Sequence, residues 1–258
     1  MGILSPGCSI VEFGAQEVNG DPEAIRCAVL DIAKHLGKKV EVAPLRAPVD
    51  MSAMYRLLGF EHKAIDVNYL HGSDFFDLNT ERVPESDRGR YDWVNNEGTT
   101  EHVINQMNAL CAAHDYCKSG GHMTHSVPVI GWVDHGLMNA TPKFWALLAG
   151  ANDYKMVSAR FVVDPIAHKL PEWYSRWESP ADFTYRDVWL HLIFQKTKDR
   201  PFVIPVDHLE FDKDGTVALR LKENAAREQQ RQSGSTGCAD GGRAAGRLQG
   251  FVRRLFCR

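Results

Sequence analysis

The chain predicts an α/β fold, a three-layer sandwich with a mostly parallel sheet. Three observations carry that prediction. Short β-branched runs alternate with helix-period segments along most of the sequence. The first run, Ser9 to Phe13 (SIVEF), meets a glycine at position 14 and then a capped helix, which is the opening unit of a doubly wound sheet. Finally, Glu12, Asp66 and Asp77 fall at or beside the carboxyl ends of successive strands, the edge where such sheets build their sites.

Each element follows from local chemistry. After Gly14 the stretch GAQEVNGDPEA is small and polar, hence loop. Asp21 is a good N-cap and Pro22 a good first-turn residue. Ile25, Val29, Ile32, Ala33 and Leu36 then keep helical period until Gly37 ends the helix. Lys38 to Pro48, broken by prolines, is a loop or a short edge strand. Met51 to Leu58 is a short helix closed by Gly59. His62 to Val67 and Phe75 to Leu78 are the next strands, and Arg82 to Arg90 is polar loop. Tyr91 to Asn95 is a strand that turns at Asn95, Asn96 and Gly98. It re-emerges as a helix over Glu101 to Cys117, capped by Thr99 or Thr100. Lys118 to Gly121 is a tight turn before a strand at His122 to Val127, and Pro128 to Ala140 is a mixed loop. Thr141 and Pro142 open a helix to about Ala151. Tyr154 to Val163 and Asp187 to Lys196 are strands flanking an insertion or lid, Ala167 to Asp182, that carries Trp173 and Trp177.

Residues 1–222 form the expected domain. From Glu223 the composition shifts to Gly, Gln, Arg and Ser, predicting a flexible, locally basic tail over 223–258. The 258 residues are enough for one full core, and 44% apolar with 24% charged residues is ordinary for a globular chain. A formal net charge of -3 gives no reason to expect a nucleic acid or an anionic membrane as partner. No apolar run approaches a membrane span, and the N-terminus lacks the pattern of a secretory signal. Six cysteines without a C-x-x-C pair suggest reduced thiols and a cytoplasmic location. The oligomeric state is not legible.

A carboxylate at the end of the second strand suits a ribose diol, and a glycine turn lets backbone approach a ligand closely. Together these describe a site for a nucleoside-bearing cofactor. The turn reads EFGAQEVNG, with Ala15 and Gln16 where a phosphate-cradling loop would carry glycine. That suits S-adenosylmethionine, which has no phosphate, better than a dinucleotide. His114, His122 and His125, with Asp115 and Cys117, do not predict a metal site, because His122 and His125 fall on opposite faces of one strand.

The segments VEFGAQ, KAIDVN, FFDLNT, YDWVNNEGTTEHVINQ and GGHMTHSVPVIGWVDHG, in that order, resemble a class I S-adenosylmethionine-dependent methyltransferase. The likeness runs from about Ser9 to Lys196, and the fourth-strand segment with VDHG is its most specific part. It implies a Rossmann-like sheet with an antiparallel last strand. It also implies S-adenosylmethionine held by Glu12, Gly14 and Gln16 at the methionyl end, Asp66 at the ribose, Asp77 and Leu78 near the adenine, and Asn96 beside the sulfonium. Methyl transfer is an in-line displacement that can need a base, for which Glu101, His102 and His135 are candidates, with Asp134 able to orient His135. The expected acceptor is a small molecule or sugar-like metabolite. Two rivals share the fold: a nicotinamide-dependent oxidoreductase and a non-catalytic binding protein.

Overall fold

The computed structural model describes residues 4–43, 45–46, 48–132, 135–169 and 184–207, with 219–220, 223–224 and 226–227. The chain divides into two units, Met1–Val206 and Asp207–Arg258. All elements below belong to the first. Asp134, Trp173, Trp177 and nearly all of the expected tail lie outside the described residues.

Alternation decides the architecture. In β1 (Ser9–Phe13) the residues Val11 and Phe13 point to one face, Ile10 and Glu12 to the other, and all five are buried. β1 lies between two parallel neighbours, β4 (Glu61–Asp66) and β6 (Tyr91–Glu97). The seven-stranded sheet runs β5-β4-β1-β6-β7-β9-β8, with β5 (Asp74–Phe75), β7 (Cys117–Ile130), β8 (Tyr154–Lys169) and β9 (Thr184–Lys196). β5, β4, β1, β6 and β7 are mutually parallel, and β9 enters antiparallel between β7 and β8. A separate antiparallel pair, β2 (Glu17–Val18) with β3 (Val49–Asp50), stands beside the first glycine turn.

Helices cover both faces. α1 (Pro22–His35) and α2 (Met51–Leu57) bury Ile25, Val29, Ala33 and Met54 against Ile10 and Phe60. α3 (Gln106–Tyr116) and α4 (Pro142–Ala151) bury Leu110, Tyr116, Trp145 and Leu148 against Val11, Phe13, Val94 and Phe194. The three-layer Rossmann-like sandwich with its antiparallel final strand is therefore present. Asp21 caps α1 by accepting from Ala24 N, and Thr141 caps α4 by accepting from Phe144 N.

Several boundaries differ from the sequence reading. β6 continues through Asn95 and Asn96 to Glu97, where a turn was expected, because both pair with β1 and β7. β7 runs on through Pro128 to Ile130 against β9 rather than entering a loop. The helix after β6 begins at Gln106 rather than Glu101. Thr100–His102 form only a 3-10 turn, and Asn105 supplies the cap by accepting from Asn108 N. Thr99 is occupied elsewhere, donating from Oγ1 to Phe13 O across the sheet edge. Lys118 to Gly121 are not a turn between elements but an irregularity within β7. Tyr91 pairs with Cys117 and Trp93 already with His122, so the intervening residues bulge out. Gly120 there has φ +83°, and a Cβ on Gly121 would stand 3.0 Å from Asp92 O. The FFDL strand pairs only through Asp74 and Phe75, and the chain turns at Asp77. Ala167–Lys169 belong to β8 rather than to an insertion.

Candidate functional site

Three loops leave the carboxyl edge of the parallel strands side by side, and their contacts define a rim. Gly14 follows β1 at φ +75°, and a Cβ there would lie 2.5 Å from Thr99 Oγ1, so only glycine fits without displacement. The next amide, Ala15 N, donates to Asp66 Oδ2 at the end of β4 (2.8 Å). Asp66 Oδ1 accepts from Val67 N (2.6 Å) and Asn68 N (3.3 Å). Gln16 Nε2 donates to Thr99 Oγ1 in the loop after β6 (3.3 Å). Thus Gly14, Gln16, Asp66 and, through Thr99, the loop after β6 meet, at the point where the strand order reverses.

Glu12 sits one step deeper and is 1% exposed. Its Oε2 accepts from Gln16 N (3.4 Å) and lies 3.5 Å from His62 Nε2, while Oε1 accepts from Asn95 Nδ2 (3.5 Å). It therefore braces the first turn from beneath. Asn95 also donates to the Tyr55 hydroxyl, whose acidity burial suppresses, with Glu12 and Glu97 adding to the effect. A cavity of about 530 Å³ opens on this side, with Glu12, Gln16, Tyr55, Asn95, Glu97 and His191 in its wall. Burial raises the Glu97 carboxyl above its ordinary range, with His191 and a Ser126 hydrogen bond pulling the other way.

The remaining candidates divide by surroundings. Asp77 accepts from Asn79 N, Asn79 Nδ2 and Thr80 Oγ1, bonds that shape its own turn and hold its carboxyl below the usual range against the cost of burial. Leu78 is packed in the core. Asn96 is wholly buried. It donates to Thr100 Oγ1, accepts from Thr100 N, and lies 3.1 Å from His125 Nδ1. It fixes the path of the loop after β6 from inside.

Glu101, His102 and His135 do come together. Glu101 is buried, and its Oε1 lies 3.4 Å from His135 Nε2 and 4.0 Å from His102 Nε2. Trp132 and Trp189 stand around His135 with ring centres 5.0 and 6.0 Å away. Trp132 holds φ +53°, a strained value for an aromatic residue, and its amide donates to Asp187 Oδ1. A carboxylate between two imidazoles can accept a proton or grip a cation. His122 and His125 do face opposite ways: His122 stacks on Trp93, and His125 packs between Trp145 and Phe194.

Sequence reasoning missed Tyr55, His62, Glu97 and His191. The period-two alternation of β6 could have flagged Glu97, which shares a face with Trp93 and Asn95. Nothing local marks Tyr55, which reaches the site only through the packing of α2.

The fold is a Rossmann-like sandwich whose first turn meets Asp66 and Thr99 at the sheet's switch point. The cavity beside it is lined by Glu12, Gln16 and Asn95 but not by Gly14, Asp66 or Asn96. No family model and no curated protein matches the chain. Solved structures resemble it distantly. TehB from Haemophilus influenzae is 11% identical, with 74% of this chain and 58% of that one covered, at a TM-score of 0.43. The 16S rRNA (adenine(1408)-N(1))-methyltransferase from Catenulisporales acidiphilia is 14% identical over 76% and 90%, at 0.39. The 1,6-didemethyltoxoflavin-N1-methyltransferase from Burkholderia thailandensis is 18% identical over 69% and 80%, at 0.38. Matches this loose locate no residue and choose no acceptor. No helix among the described residues is long and apolar enough to cross a membrane.

Proposed function

We propose that the chain is an S-adenosylmethionine-dependent methyltransferase acting on a small-molecule acceptor. The observation that carries this reading is the direct bond from the first turn, Ala15 N, to the Asp66 carboxylate of the neighbouring strand. A glycine turn in direct contact with a strand-end carboxylate supports a single ligand spanning both. Backbone amides pin both Asp66 oxygens, and Oδ2, with a single donor, keeps a lone pair for a ribose hydroxyl. Ala15 and Gln16 replace the bare glycines that a pyrophosphate needs, which favours an adenosyl sulfonium over a dinucleotide. Glu12 supports the turn, and Asn96 shapes the loop that would face the sulfonium. Glu101, with His135 and His102, supplies the group that would take the acceptor's proton.

Thermal melting with each cofactor tests the reading. S-adenosylmethionine should raise the midpoint, and Asp66→Ala should abolish the rise while leaving a cooperative melt. A rise with the nicotinamide dinucleotide alone would overturn it.

A further inference from the structure

We propose that Glu101, His102 and His135 form a binding site for one divalent first-row transition-metal ion. The Glu101 side chain is 1% exposed, and among the described residues neither carboxylate oxygen has a hydrogen-bond donor. His135 Nε2, buried and equally without a hydrogen-bond partner, faces Oε1 at 3.4 Å. The half-exposed His102 presents Nε2 at 4.0 Å, and one ligand atom from each residue falls within 4.8 Å of the others. Such a carboxylate is costly to bury without compensation, and a cation supplies it.

The position is built. Leu137 N and Met138 N both donate to Glu101 O, at 2.7 and 2.9 Å. Gly136 leaves room for the Glu101 stem, because a Cβ there would stand 2.9 Å from Glu101 Cγ. Bonds of about 2.0–2.2 Å to nitrogen and oxygen put neighbouring ligand atoms roughly 3–3.5 Å apart. The Glu101–His135 pair already has that spacing, and a rotation of His102 at the surface would close the other two sides. Two imidazoles with one carboxylate suit zinc, manganese, iron or cobalt better than magnesium or calcium, which prefer oxygen. Three protein ligands leave coordination positions open, as in a catalytic rather than a structural site. On the methyl-transfer reading, the ion would replace these side chains as the activating group. An acceptor hydroxyl on it would be more acidic and would release its proton to water, the three residues acting as ligands rather than as base. The ion site itself rests only on the cluster.

The full chain, stripped with chelator, is titrated with Co²⁺ and followed by visible absorption, with no S-adenosylmethionine added. That order keeps this result separate from the cofactor reading. One ion per chain should bind with ligand-field bands, and Zn²⁺ should displace it. Glu101→Gln and His102→Asn should each weaken binding by at least about tenfold. His102 is half-exposed, so its variant decides the matter even if the buried Glu101→Gln fails to fold. Absence of Co²⁺ bands, or equal uptake by wild type and His102→Asn, would overturn the proposal.

Discussion

Mild acid should destabilise the protein through two buried histidines. His114 is sealed between Tyr154 OH (2.6 Å) and Arg200 O (2.7 Å). Burial, with Lys196 nearby, pushes it down to about 4 from 6.5. His125, enclosed by Trp145 and Phe194, is pushed down by burial to about 3. A histidine whose folded value is depressed binds more protons when unfolded. Its contribution is therefore intact above about pH 6.5 and is lost as pH falls toward the folded value. Between about pH 6 and 5 each histidine costs roughly 1 kcal/mol, about 2 together. Glu97 and Asp115, raised by burial, act in the opposite sense and temper the total. Urea unfolding at the two pH values, with His114→Gln alongside wild type, gives the readout. The variant should lose about half of the pH dependence whatever its absolute stability. An unchanged dependence in the variant would refute the reasoning.

Other perturbations test the rim and its supports. Gly14→Ala should cost about 2 kcal/mol, from a positive φ and from displacing Thr99 off Phe13 O, and denaturant titration measures it. Asn105→Ala should cost about 1–2 kcal/mol, because the Asn105 side chain caps α3 and also donates from Nδ2 to Asn79 O. The loss should appear as faster hydrogen exchange in the first turn of α3.

Much of the fold could be read from the sequence because its signals were local. Asp21 and Thr141 cap the helices they were expected to cap, and the β-branched runs at Ser9 and His62 became central strands. Where the reading failed, a long-range partner had taken over a local signal. Thr99 looked like a helix cap but bonds Phe13 O, which left Asn105 to start α3. Gly120 and Gly121 looked like a turn but form a bulge within β7. At the site, Asp66 could be placed because strand ends lie on one edge. Glu101 and His135 were expected near one acceptor, but their direct contact was not legible, since 34 positions of chain separate them. They are joined by long-range contacts, the Gly136 backbone against Glu101 and the Leu137 and Met138 amides on Glu101 O. Asn96 carried a polar motif outward in sequence, yet its amide is spent inside on Thr100 and His125.

Isothermal calorimetry with S-adenosylmethionine on the full chain and on Asp66→Ala tests the central claim most directly. Saturable binding of one ligand per chain, weakened at least about tenfold by the substitution, is the predicted result. No heat at millimolar ligand, or equal affinity in the two proteins, would contradict it.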